Sequence, residues 1–302
     1  MPEGDVVWRT ARRLHRALAG RTLTATDFRW PSLAEADLSG REVLEVVSAG
    51  KHLLLRTAAT GEPGSVPLTV HSHLRMEGSW HVHRTGEPWT RRSASGVRVV
   101  LTSDEWTAVG HKLGMLDLVA TDREDTLVGH LGPDLLGPGW DVAEAARRLT
   151  AVPDRELGEA LLDQRVLAGV GTFYMAEACF LARLSPWSPV SALDDPGRFL
   201  RLVHRLLDAN KERAEQVTTG DLRRGRQNFA HARSGLPCLR CGATVRVAMI
   251  GRAPQDRTAF YCPGCQAGPA PTDDGRPQRP LGSERPAGRA TRTARTRPAY
   301  RR

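Results

Sequence analysis

Lysine is almost missing from this chain: Lys51, Lys112 and Lys211 are three among 43 basic residues. Arginine keeps its charge at any accessible pH, whereas a buried lysine gives up a proton, so each lysine is a candidate for proton-handling chemistry. Long apolar runs are missing too. None reaches the ~18 residues needed to span a bilayer, and the N-terminus opens on charged residues where a secretory leader would be apolar. These two absences lead to the expectation of a soluble, cytoplasmic protein. Cysteine is sparse, with five in 302 residues, which argues against a disulfide scaffold and for a reducing compartment.

Proline and glycine are plentiful, 20 and 29, and the length suits about two domains with cores of their own. The net charge is +9 and the pI about 10. Such a balance favours a polyanion, most simply nucleic acid. Much of it sits in the last stretch: Ala267 to Arg302 holds nine Arg against Asp273, Asp274 and Glu284. That stretch is Pro/Arg/Gly-rich with few large apolar residues and reads as a disordered basic tail over 267–302.

At the other end stands Met1-Pro2-Glu3-Gly4-Asp5. Removal of Met1 leaves Pro2 as a secondary amine, with a neutral fraction near pH 7 that can attack carbonyl-like carbon. Glu3 places a proton donor beside it, and Gly4 allows another chain to approach closely. Val7, Trp8, Ala11, Leu14 and Leu18 then recur at helical spacing, with Asp5 as expected N-cap and Gly20 as the stop. From Arg21 to about Val119 the pattern turns to short strands. They include Val43–Val47, His52–Arg56, Leu68–His71, Gly96–Leu101 and Leu116–Val119, and they predict a β-sandwich or barrel. Lys51 follows Gly50 at a turn between two of them. His71 and His73 alternate as two metal ligands would, without a third to join them. A loop presenting His73, Arg75 and Met76 suits DNA better, since an apolar tip can wedge into a base stack.

Beyond Pro138-Gly139 the periodicity is helical, over Val142–Leu149, Glu156–Leu162, Phe173–Ala182 and Pro196 to about Val217. The glycines of Gly169-Val170-Gly171-Thr172 make a tight turn before the amphipathic third of these. Their N–H groups are placed to face a phosphate, as helix N-termini do. Last comes Cys238-x2-Cys241 and Cys262-x2-Cys265, 20 residues apart. This is zinc-ribbon spacing, for one structural Zn2+ in a closed four-thiolate site. Cys179 stands apart and is expected in the core. The intervening strands, Thr244–Ile250 and Thr258–Tyr261, form a hairpin carrying Arg257.

The order of these pieces resembles the formamidopyrimidine-DNA glycosylase and endonuclease VIII family. The matching residues are Pro2-Glu3-Gly4, Gly50-Lys51, His73 to Met76, Asp163-Gln164 with Gly169-Val170-Gly171, and Arg257-Thr258 with Phe260 to Gln266. The resemblance spans residues 2–266, and the start of the chain is similar to the endonuclease VIII branch. It implies an α+β multi-domain protein: an N-terminal β-sandwich with a leading helix over 1–132, a helix-two-turn-helix domain over 133–229 and a zinc hairpin over 230–266, followed by the tail. It also implies a bifunctional glycosylase and lyase, a monomer acting on double-stranded DNA that contains oxidised bases or abasic sites. Pyrimidines are favoured, because few residues separate Val217 from Cys238 and leave little room for the base-covering loop of the purine branch.

By the same resemblance, Pro2 attacks the sugar, Glu3 protonates the ring oxygen, Lys51 assists the sugar-phosphate chemistry and Arg257 grips phosphate. His73, Arg75, Met76, Gly171, Thr172 and Arg233 contact DNA, and Cys238, Cys241, Cys262 and Cys265 hold zinc. Thr172 stands where the family has Asn, and His231-Ala232-Arg233 where it has Tyr-Gly-Arg. A non-catalytic DNA-binding protein that keeps the fold is the alternative.

Overall fold

The computed structural model describes residues 2–89 and 94–273. Helix α1, Gly4–Leu18, starts directly after Glu3 and presents Val7, Ala11, Leu14 and Leu18 to the interior. Eight strands of the first half join it in one core. Two antiparallel four-stranded sheets face each other across that core. One runs in the order β1 (Leu23–Phe28), β6 (Val97–Ser103), β7 (Trp106–His111), β5 (Ser79–Arg84). The other runs β2 (Val43–Ala49), β3 (His52–Thr57), β4 (Leu68–His73), β8 (Met115–Ala120). The alternation of strand residues decides which faces are covered. Leu53, Leu55, Val70 and Leu116 of one sheet meet Trp80, Val99, Leu101 and Ala108 of the other. The β-sandwich expected from the punctuation of short strands is present, and β1, β5 and β7 complete it.

A short helix α2, Asp125–Val128, leads to α3 (Val142–Thr150), α4 (Leu157–Leu162), α5 (Thr172–Leu181) and α6 (Pro196–Asn210). Asp141 caps α3 through the Ala143 N–H at 2.8 Å, and Asp195 caps α6 through the Arg198 N–H at 2.8 Å. Helix α5 is not amphipathic as expected: its residues Thr172 to Phe180 are all buried. The reason is its position between two cores. Tyr174, Met175, Ala178 and Cys179 pack among the helices, while Ala176 and Phe180 pack against the last hairpin. That hairpin pairs β9 (Arg246–Ile250) with β10 (Arg257–Tyr261), with Arg257 opposite Ile250.

Helix α6 stops at Asn210, short of the expected Val217. The Asn210 amide binds the Leu206 and Val217 carbonyls and the Val217 N–H, so the chain doubles back. Residues 267–273, expected to belong to the tail, are held against the rest of the chain. Ala267 exchanges backbone bonds with Arg183 and Ser185, and Thr272 and Asp273 are held by Tyr261 and Arg246. Residues 274–302, the rest of the predicted tail, lie outside the described residues. No helix among the described residues is long and apolar enough to cross a membrane.

Candidate active site

Three distant segments cross where glycines let backbones touch. The Gly4 N–H donates to the Gly169 carbonyl at 2.9 Å, and a Cβ on Gly4 would lie 3.0 Å from Gly169 Cα. A Cβ on Gly50 would meet Ala168 Cβ at 2.9 Å. The close approach that Gly4 was expected to permit is thus present. Gly169 itself has φ +104° and is held by Gln164, whose Oε1 accepts its N–H at 3.0 Å. Asp134, unremarked in the sequence, accepts the Gly50 N–H at 3.0 Å and fixes the Lys51 turn onto the helical region.

Glu3 enters this crossing fully buried. Its carboxylate takes the N–H groups of Gly171 (2.8 Å), Phe173 (2.8 Å) and Tyr174 (3.3 Å), at the start of α5. This corrects one expectation: the Gly171 N–H is engaged by Glu3 and does not face outward to a phosphate. A helix N-terminus favours an anion, and here the protein supplies its own. Thr172, between the two shortest of these bonds, is buried.

Burial pushes the Glu3 carboxyl above its ordinary range. Lys51 and the Phe173 and Gly171 N–H groups pull it back, while Asp5 adds to the rise. An acid so placed retains a proton more readily and can deliver it to a substrate. Lys51 is pushed below the ordinary lysine range by burial, with Glu3 opposing and Arg257 reinforcing the drop. Lys51 thus lies within electrostatic reach of both other predicted groups, Glu3 and Arg257.

Asp5 is not the N-cap expected of it. Glu3 occupies the cap position, and Asp5 lies buried in the first turn. Its two oxygens accept from Gln216 Nε2 at 3.0 and 3.1 Å. Burial raises its pKa against the pull of Gln216. Glu177, also fully buried, accepts the N–H groups of Phe229, Ala230 and His231 at 2.8–2.9 Å and the Thr218 hydroxyl. It thereby docks the segment before the cysteines onto α5. No local pattern flagged Gln216 or Glu177, since each acts on residues far away in sequence.

Arg75 has φ +51° and lies across Gly114, with its backbone N–H on His73 Nδ1 at 2.9 Å. Met76 at the tip is 64% exposed. Arg75, Arg155, Arg165, Arg252 and Arg257 line one groove of about 620 Å³. Arg233 departs from its predicted DNA contact. It is 7% exposed, and its guanidinium donates inward to the Gly225 and Pro237 carbonyls, bracing the loop. His71 is likewise structural, hydrogen-bonded to His52 (2.8 Å) and Asp117 (2.9 Å).

The sulfurs of Cys238, Cys241, Cys262 and Cys265 lie within 4.8 Å of one another, and none is in a disulfide. The Cys238–Cys265 and Cys241–Cys262 pairs are 3.8 and 3.5 Å apart. Tetrahedral bonds of about 2.3 Å would set sulfurs about 3.8 Å apart, so these residues fit a metal ion. Among the described residues no other group of three or more His, Cys, Asp or Glu does.

Residues 1–117 match the family described as the formamidopyrimidine-DNA glycosylase N-terminal domain. Over 278 residues the chain is 52% identical to the probable endonuclease 8 2 of Streptomyces coelicolor, covering 91% of this chain and 98% of that one. It is 42% identical over 266 residues to the DNA-(apurinic or apyrimidinic site) lyase Nei2 of Mycolicibacterium smegmatis, covering 88% and 99%. The fold is similar to that of Lactococcus lactis Fpg in complex with abasic-site DNA, with a TM-score of 0.71 at 20% identity over 88% of this chain and all of that one.

Proposed function

The chain belongs to the formamidopyrimidine-DNA glycosylase and endonuclease VIII family, on its endonuclease VIII branch, and on that footing we propose that it is a bifunctional DNA glycosylase and abasic-site lyase of base excision repair. Its substrate is duplex DNA carrying oxidised bases, chiefly pyrimidines, or abasic sites. It acts as a monomer in the cytoplasm, on the nucleoid. The observation that carries the reading is the Glu3 carboxyl, buried one residue from the N-terminal amine and clasped by three α5 N–H groups.

With Met1 removed, the neutral Pro2 nitrogen attacks C1′ of the damaged nucleotide, the bond to the base breaks, and the base leaves with the proton that the Pro2 nitrogen gives up. Glu3 gives its proton to O4′ as the sugar ring opens, leaving an iminium between Pro2 and C1′. That cation acidifies the C2′ proton; its loss expels the 3′-phosphate, and a second elimination expels the 5′-phosphate. Lys51, held in the same crossing with a lowered pKa, trades protons with the sugar or neutralises phosphate. Arg257 grips phosphate from the hairpin, and His73, Arg75 and Met76 occupy the space left by the everted nucleotide. Zinc is the ion we assign to the four cysteines, where it ties the hairpin together and takes no part in the chemistry.

Borohydride reduction of a mixture with abasic-site DNA tests this. Mature protein should form a covalent adduct, and protein that retains Met1 should form none. No adduct from the mature protein, with DNA binding intact, would leave the non-catalytic DNA-binding reading.

A further inference from the structure

The sheet that follows Lys51 carries a group of histidines on its outer face. Leu53, Leu55, Val70 and Leu116 turn into the core, so the alternate residues His52, His71, His73 and Asp117 share the opposite face. The register sets His52 across from His73, and His71 across from Asp117. His71 joins three strands: its Nε2 lies 2.8 Å from His52 Nδ1, and its Nδ1 lies 2.9 Å from Asp117 Oδ2. His71 is fully buried, while Asp117 reaches solvent. The His52 ring, half-buried, has its centroid 5.0 Å from those of both His71 and His73.

The donor and acceptor roles follow from the ends of this chain. A carboxylate only accepts, so His71 donates from Nδ1. While His71 is neutral its Nε2 is bare. It accepts the Nδ1–H of His52, and His52 Nε2 is then an acceptor. A proton added at His52 Nε2 lets the Nδ1 proton pass to His71. The charge comes to rest on His71, where both N–H groups are bonded, and His52 Nε2 has become a donor. His73 is a donor at Nε2 already, because its Nδ1 accepts the Arg75 N–H at 2.9 Å.

The groups that act on the two outer rings are basic. Burial pushes His52 down to about 3, with His71, His73, His130 and Arg75 adding to the drop. Burial likewise pushes His73 down to about 4, helped by Arg75, Lys51 and His71. An anion brought to these rings would offset that resistance to protonation.

Resting on the reading above, in which Lys51 and His73 act on DNA, we propose that His52 and His73 seat one phosphodiester of the bound strand, and that the Asp117–His71–His52 chain takes up one proton as that phosphate arrives. His52 then offers the phosphate an N–H beside that of His73. His71 and Asp117 are positioning residues, which hold the added charge away from solvent.

The test uses a duplex with one tetrahydrofuran residue, which has no aldehyde for Pro2 to capture, so that binding is read without chemistry. Its Kd is measured at constant ionic strength from pH 8 to pH 6. Over this range the wild type should gain about tenfold more affinity than either Asp117→Asn or His52→Phe. At pH 8, where the chain holds no extra proton, the three should bind alike. Groups elsewhere that titrate on binding, Pro2 and Glu3 among them, are common to all three proteins and cancel in the comparison. Equal gains in the wild type and both variants overturn the proposal. So does a loss of affinity that is the same at both ends of the range, which would make the chain a brace for the sheet and nothing more. A wild type that fails to bind this duplex at any pH would instead overturn the DNA reading on which the proposal rests.

Discussion

The Gly171 N–H sits 2.8 Å from Glu3 Oε2, joining residues 168 positions apart in the chain. No side chain could stand at 171: a Cβ there would come within 2.4 Å of Glu3 Oε1. Gly171→Ala must displace either the acid or the end of α5. We expect a stability loss of about 1–3 kcal/mol from overpacking and a fall in base release of about a hundredfold from misplacement of the acid. Thermal denaturation and single-turnover kinetics measure the two, and release at the wild-type rate would show that Glu3 does not need this seat.

Arg233 and Arg257 should separate cleanly. Arg233→Ala removes a buried brace of two carbonyls and should cost about 2 kcal/mol of stability while leaving the salt dependence of DNA binding alone. Arg257→Ala, on the exposed groove, should leave stability nearly unchanged and reduce the slope of log K against log salt by about one. Binding titrations from low to moderate salt, with urea denaturation alongside, check both.

Acid should loosen the segment around His231. Its ring packs against Phe173 and Phe260 at 5.2 and 5.1 Å, and burial pushes its pKa from 6.5 down to about 4. The unfolded chain takes up this proton near pH 6.5, but the native one only near 4. The contribution is therefore complete above pH 6.5 and is lost progressively as pH falls towards 4, on the order of 3 kcal/mol in all. Denaturant unfolding at pH 7 and pH 5 should show the loss, and His231→Phe should shrink it.

Metal analysis should find one zinc per chain. Cys238 and Cys262 lie in the same small core as Phe180 and Phe260, so stripping the ion should unfold the hairpin together with its packing on α5. A chelator should lower Tm, and so should Cys238→Ser. A metal-free protein with the wild-type melting curve would contradict this.

Much of the site is legible in the sequence because its parts are local signals: a Pro-Glu start, a lone lysine after glycine, paired cysteines. Their meeting is not local. The Gly169-to-Thr172 turn was legible as an anion seat, but the anion turned out to be Glu3, which periodicity cannot reveal. Helix α5 looked amphipathic because Glu177 interrupts its apolar run. That glutamate is instead fully buried, satisfied by three N–H groups some fifty residues on. Helix α6 was read too long because the doubling-back at Asn210 depends on a single side chain bridging to Val217. Arg233 resembled a DNA contact in its motif, but its guanidinium found carbonyls within the loop.

The crossing of Gly4 over Gly169 has a consequence for the order of events in the cell. A ribosome makes the nucleophile first and the cradle for its acid some 170 residues later. Until α5 has emerged and folded, Glu3 has no seat and the amine has no partner acid. Base release, the step that draws on this acid, therefore becomes possible only once the helical region has closed over the first residues.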